Sequence, residues 1–112
     1  MVTTISRFRT PEGTRPSLVQ SHKRTPEMLL REALGTALRT FRADNNLTLR
    51  QLADVALVSP GYLSELERGR KEVSSELLAS VCRALGVSVA DVLIEAAGTM
   101  AMADATAELE RV

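Results

Sequence analysis

Residues 48–69 read TLRQLADVALVSPGYLSELERG, and the spacing inside this stretch decides the fold. Thr48 can cap a helix that runs through Leu49, Leu52, Ala53 and Ala56 on one face. Only Leu57 and Val58 separate that helix from Ser59, a second cap. Pro60 follows at the first helical position, where its missing N–H costs nothing. Leu63 and Leu66 then point inward until Gly69 ends the run. Two helices joined by so tight a turn must cross steeply, and a small residue is needed where they touch. Ala53 fills that place, while Leu52, Val58, Leu63 and Leu66 lock the crossing. Pro60, Gly61, Tyr62, Ser64, Glu65 and Arg68 are left facing outward.

The flanks extend the same pattern. Upstream, Leu30, Leu34, Leu38 and Phe41 recur at helical spacing after Met28, and Asp44-Asn45-Asn46 forms a turn. Downstream, Ser74 or Ser75 starts a fourth helix with Leu78, Val81, Cys82 and Leu85 inward, ending at Gly86. Ser88 caps a fifth, with Val92 and Leu93 on its buried side. Beyond Gly98, an alanine-rich segment from Thr99 to Leu109 reads as helix but is too small-sided to fold alone. No segment alternates like a strand for long. The expected fold class is all-α: a five-helix domain over residues 28–93, with an extra helical tail over 94–112.

Residues 1–27 read differently. Pro11, Pro16, Pro26 and Gly13 stand among Ser and Thr without apolar periodicity, as in a flexible arm. A start read at Met28 would yield the whole domain without it. The chain's net charge of zero hides an asymmetry. Residues 1–26 carry Arg7, Arg9, Arg15, Lys23 and Arg24 against Glu12, a net +4. Residues 87–112 carry Arg111 against Asp91, Glu95, Asp104, Glu108 and Glu110, a net −4.

Composition excludes several classes. At 112 residues, 45% hydrophobic and 25% charged, the chain suits one soluble domain with some tail. No apolar run approaches the ~20 residues of a membrane helix, and the N-terminus has no signal-peptide apolar core. A lone Cys82 and a lone His22 supply neither a disulfide nor a structural zinc site. Cys82 falls where its helix wants a small buried residue. Glycine-rich phosphate loops and nucleophile–base pairs are missing. The expectation is a cytoplasmic protein that is not an enzyme and takes no metal or cofactor.

The central pair has the geometry of a helix-turn-helix (motif about residues 49–68), whose second helix enters the major groove N-terminus first. Leu52-Ala53, Val58-Ser59, Leu63-Ser64, Leu66-Glu67-Arg68-Gly69 and Leu85-Gly86-Val87 resemble the repressor-type (Cro/CI/Xre) helix-turn-helix family. Residues 58–78, VSPGYLSELERGRKEVSSELL, are similar to the actinobacterial Clp-protease gene regulators (the ClgR family). The resemblance covers about residues 28–95. One departure is Leu57, where the family usually places Gly. A left-handed backbone there is strained, so the turn either takes another conformation or tolerates the cost.

The resemblance implies DNA binding and places Pro60, Gly61 and Glu65 toward the bases. Pro60 and Gly61 would allow close approach and contact with a thymine methyl. Glu65 would accept from cytosine N4, or else pair with a neighbouring arginine. Tyr62 and the Ser59 hydroxyl are candidates for phosphate or sugar, and Ser64 shares their face. Arg50, Arg68, Arg70 and Lys71 are the preferred phosphate ligands. Glu67 is read as structural, bonded to backbone N–H groups or to Arg39 or Arg42.

One such domain buries too little to bind DNA tightly, so two copies reading a palindromic operator are expected. Val92, Ile94, Met100, Met102 and Leu109 are the candidate dimer contacts, on a segment whose negative charge turns it from DNA. The resemblance implies activation beside RNA polymerase. Clp protease is a candidate degrader, although Glu110-Arg111-Val112 departs from the small apolar tail of some relatives. An antitoxin that represses its own promoter is the alternative.

Overall fold

Five helices make up most of residues 28–111, the part of the chain described in the computed structural model: α1 (Leu30–Asp44), α2 (Leu49–Ala56), α3 (Pro60–Glu67), α4 (Ser75–Leu85) and α5 (Val89–Arg111). No strand occurs among the described residues. The expected basic arm, with His22, lies outside them.

Hydroxyl caps set four of the helix starts. Thr48, Ser59, Ser74 and Ser88 accept from the N–H groups of Gln51, Tyr62, Leu77 and Asp91 at 2.9–3.1 Å. Gln51 and Asp91 return the bond to the cap N–H at 2.8 and 3.2 Å. Each such cap contributes about 1 kcal/mol. At α1, Leu29 has no acceptor to offer, and the Glu32 carboxylate instead accepts the Leu29 N–H at 2.8 Å.

The first four helices also end alike. One residue turns left-handed, and its own N–H and that of the residue after it return to the last turn's carbonyls. Those residues are Asn46 (φ 57°), Leu57 (φ 61°), Gly69 (φ 74°) and Gly86 (φ 75°). After α2, Leu57 N–H bonds to Asp54 O at 3.3 Å and Val58 N–H to Ala53 O at 3.0 Å. This resolves the question raised by Leu57. The turn keeps the glycine-type conformation and bears the strain.

Leu38, Leu52, Leu63, Val81, Cys82 and Val92 are the largest fully buried side chains, with Ala33, Ala37, Ala53 and Ala56 between them. Burial pushes the Cys82 thiol pKa up, and the Asp91 carboxylate adds to the shift. Ala53 is wholly buried, which the steep α2–α3 crossing requires. Gly35 has a similar role between α1 and α3. A Cβ there would meet the Leu66 carbonyl oxygen and stand 2.6 Å from that of Glu67.

Four expectations at the C-terminal end are corrected. The fifth helix and the alanine-rich segment are one helix, because Gly98 costs only about 1 kcal/mol among good helix formers. Val92 is not available to a partner: it is wholly buried in the core formed with α1. Leu93, expected inside, is 45% exposed. Met100 is half-buried and packs against the core, because α5 continues along α1 past Gly98. Ile94, Met102 and Leu109 are exposed.

Candidate nucleic-acid interface

Ser59 and Pro60 start α3, and the burial of Leu63 and Leu66 fixes which side it turns outward. Gly61 and Arg68 are exposed, whereas Pro60, Tyr62, Ser64 and Glu65 are half-buried. Tyr62 does two things, packing its ring against the core while lying on the outer part of α3. Arg50 is exposed on the first turn of α2, and Arg70 and Lys71 are exposed in the loop after α3. The ten candidate DNA-binding residues thus lie on α2, the cap of α3, α3 itself and the loop that follows it.

Both readings of Glu65 bear on one geometry. Its carboxylate lies 3.8 Å from the Arg70 guanidinium and 4.0 Å from that of Arg68. Ion pairs this long and this exposed contribute little to stability. They offset part of the repulsion that a carboxylate would meet near phosphates, while leaving it free to exchange partners.

Behind this face sits a strong polar contact. Arg42 grips Glu67 with two parallel bonds, Nε to Oε2 at 2.7 Å and Nη2 to Oε1 at 2.9 Å, and its Nη1 donates to Leu47 O at 3.0 Å. The Glu67 side chain is only 6% exposed. Bonding to that carboxylate raises the Arg42 pKa against the opposing effect of burial, so the guanidinium stays charged. One residue on α1 therefore ties the end of α3 to the turn that leads into α2. Of the two arginines open as partners for Glu67, Arg42 is the one used.

A second tether has no counterpart in the sequence reading. Arg31 Nε donates to Gly69 O at 3.1 Å, and its Nη1 pairs with Glu72 at 2.7 Å. These bonds hold both flanks of Arg70 and Lys71 against α1. Gly69 is required there twice over: its backbone is left-handed, and a Cβ would stand 2.8 Å from Glu32 Cα. A basic residue three positions before an inward leucine carries no signal for a loop 38 residues away. Gly35, a glycine inside a helical pattern, is a signal that could have marked a close approach to α1, though not the backbone that makes it.

Among the described residues, no three His, Cys, Asp or Glu side chains gather where they could hold a metal ion. No single described helix is long and apolar enough to cross a membrane. The face can offer cations, hydroxyls and a carboxylate on a protruding helix, all of them groups for recognition.

Residues 33–94 match the model of the helix-turn-helix domain family. The chain is 76% identical to the clp gene regulator ClgR from Corynebacterium glutamicum, whose crystal structure matches with a TM-score of 0.75 over 77% of this chain and 92% of that one. It is 53% identical over 73 residues to the transcriptional regulator ClgR of Mycobacterium tuberculosis. That match takes in 65% of each protein, a little under two thirds of the relative's length. The restriction-modification controller protein C.AhdI from Aeromonas hydrophila shares the fold at 24% identity, with a TM-score of 0.54 over 55% of this chain and 94% of that one.

Proposed function

The chain belongs to the helix-turn-helix domain family, among the ClgR-type transcriptional regulators, and from that premise we propose that it is a homodimeric activator of Clp protease and chaperone genes that reads a palindromic operator. The observation that carries this reading is the outward side of α3, presented beside Arg50, Arg70 and Lys71 on a braced α2–α3 pair. Gly61 and Glu65 face the bases. Pro60 lies with them, and Ser59, Tyr62 and Ser64 follow the edge of the groove. Arg50, Arg68, Arg70 and Lys71 hold phosphates, which fixes register without reading sequence.

Pairing of two copies is supported by α5, which has apolar residues on two sides. Val92, Ala96 and Met100 pack inward. Ile94, Gly98, Ala101, Met102, Ala105 and Leu109 are exposed on the opposite side, within an arc of about 100° at 100° per residue. An exposed apolar stripe with small residues between large ones suits close packing against a second α5. Likeness to a clp gene regulator supports action on clp genes, and activation through contact with RNA polymerase is part of the same proposal. Clp protease as degrader belongs to the same reading, and the site of action is the cytoplasm. Nothing in the fold or the relatives favours the antitoxin alternative.

The test is selection from sheared genomic DNA of the host with the full chain, followed by sequencing. Enrichment of a palindrome upstream of protease or chaperone genes is expected. Enrichment only at the chain's own promoter, or none at moderate salt, would sink the proposal. On the selected duplex, Arg68→Ala and Lys71→Ala should weaken binding to all sequences alike, and Glu65→Gln should change which sequence is preferred.

A further inference from the structure

Beside the groove-facing side chains, α1, the start of α2 and the end of α3 enclose a cleft of about 190 Å³. Arg39, Arg42, Leu49, Ser64, Glu67 and Arg68 line it. Three guanidiniums against one carboxylate leave these walls with a net charge of +2. Arg42 and Glu67 are spent on one another through their paired bonds, so they form a satisfied floor.

Arg39 and Arg68 are not spent. Arg39 is exposed and makes no hydrogen bond or ion pair among the described residues. The nearest carboxylate oxygen to the Arg68 guanidinium is 4.0 Å away. The Ser64 hydroxyl, on the same wall as Arg68, has no hydrogen-bond partner among the described residues either. Two like charges facing a small cleft repel each other unless an anion lies between them. A planar guanidinium suits the tetrahedral oxygens of a phosphate, and a hydroxyl completes the set of donors.

We propose that this cleft seats one phosphate of the DNA backbone, with Arg39 and Arg68 as its charged ligands and Ser64 as its hydroxyl donor. Arg39 is thereby assigned to the DNA-binding set although it lies on α1, outside the helix-turn-helix itself. Ser64 lies in the second half of α3 and Arg68 caps its C-terminal end, whereas Ser59 and Pro60 begin it. A phosphate held here fixes the far end of the recognition helix and so its register along the groove. The proposal rests on the DNA-binding reading above.

The test compares the full-length chain with Arg39→Ala and Arg39→Lys on the selected duplex across a salt series. Arg39→Ala is expected to lose about tenfold in affinity. Its slope of log affinity against log salt should flatten by about 0.9 per half-site. Arg39→Lys should keep the slope, and the order of preferred sequences should not move. A set of duplexes, each with one neutral methylphosphonate linkage, supplies the position. One linkage per half-site should cost the natural chain about tenfold or more and Arg39→Ala distinctly less, because only Arg68 and Ser64 still hold that phosphate in the variant. If the natural chain binds DNA and Arg39→Ala shows the same slope and the same linkage pattern, the cleft assignment is wrong and the DNA-binding reading stands. If the natural chain binds no duplex, both fail. If millimolar inorganic phosphate raises the melting temperature of the natural chain but not of Arg39→Ala, while their duplex binding is equal, the occupant is a free anion and the proposal is overturned.

Discussion

At the scale of single residues, Leu57 is the clearest conflict between local chemistry and fold. A left-handed L-residue costs about 1–2 kcal/mol, and the Leu57 side chain, 88% exposed, recovers almost nothing by burial. Glycine would remove that strain at a smaller cost, about 0.5–1 kcal/mol of extra freedom in the unfolded chain. Leu57→Gly should therefore stabilise the protein by about 0.5–1 kcal/mol and raise its melting temperature by a few degrees. Thermal unfolding followed by circular dichroism checks this, and a lower melting temperature would mean that the leucine side chain earns its place in some contact. The sequence identified this position as a problem but could not choose its outcome. The choice depends on whether the bonds from the Leu57 and Val58 N–H groups to carbonyls of α2 outweigh the strain, a balance that residue identities alone do not decide.

Between elements, the contact that positions the site is α1 against the end of α3. Gly35→Ala would drive a methyl group into the Leu66 and Glu67 carbonyls, which cannot move aside without shifting α3. A loss of about 2–3 kcal/mol in urea unfolding is expected. Gly61→Ala, where an added Cβ meets nothing within 4 Å, should instead gain up to about 1 kcal/mol. Arg42→Ala strands the nearly buried Glu67 carboxylate and should cost about 3 kcal/mol, most of it restored by the apolar pair Arg42→Met with Glu67→Leu. If the single change costs under about 0.5 kcal/mol, the pair behaves as a surface ion pair and does not brace α3. Helix starts were legible because each needs only a local hydroxyl at a fixed spacing, as at Ser59. The Arg42–Glu67 pair was half legible, since charge chemistry named the acid and two candidate bases. The Arg31 tether and the place of Gly35 were not legible, because both depend on which backbone passes close by.

For the whole molecule, the open question is how α5 serves both the core and a second copy. Sequence periodicity marked the segment as apolar but turned Leu93 inward, offered Val92 both to the core and to a partner, and gave Met100 to the partner, because a run rich in alanine and apolar on two faces has no single inward direction. Truncation after Leu93 is a poor test of pairing, since it removes Ala96 and Met100 from the core along with the exposed stripe. Charge on the stripe is the cleaner probe. Ile94→Lys with Met102→Lys alters two side chains that are 70% and 68% exposed, so the fold should keep its melting temperature within a few degrees at a concentration where both proteins are monomeric. Sedimentation should show the natural chain as a dimer and the double variant as a monomer. Operator affinity should fall by about 100-fold or more, because the second half-site no longer benefits from a tethered partner. Val92→Ala should do the reverse, costing about 2 kcal/mol of stability while the folded protein still pairs. A double variant that remains dimeric would place the interface elsewhere and leave the α5 stripe without a role in pairing.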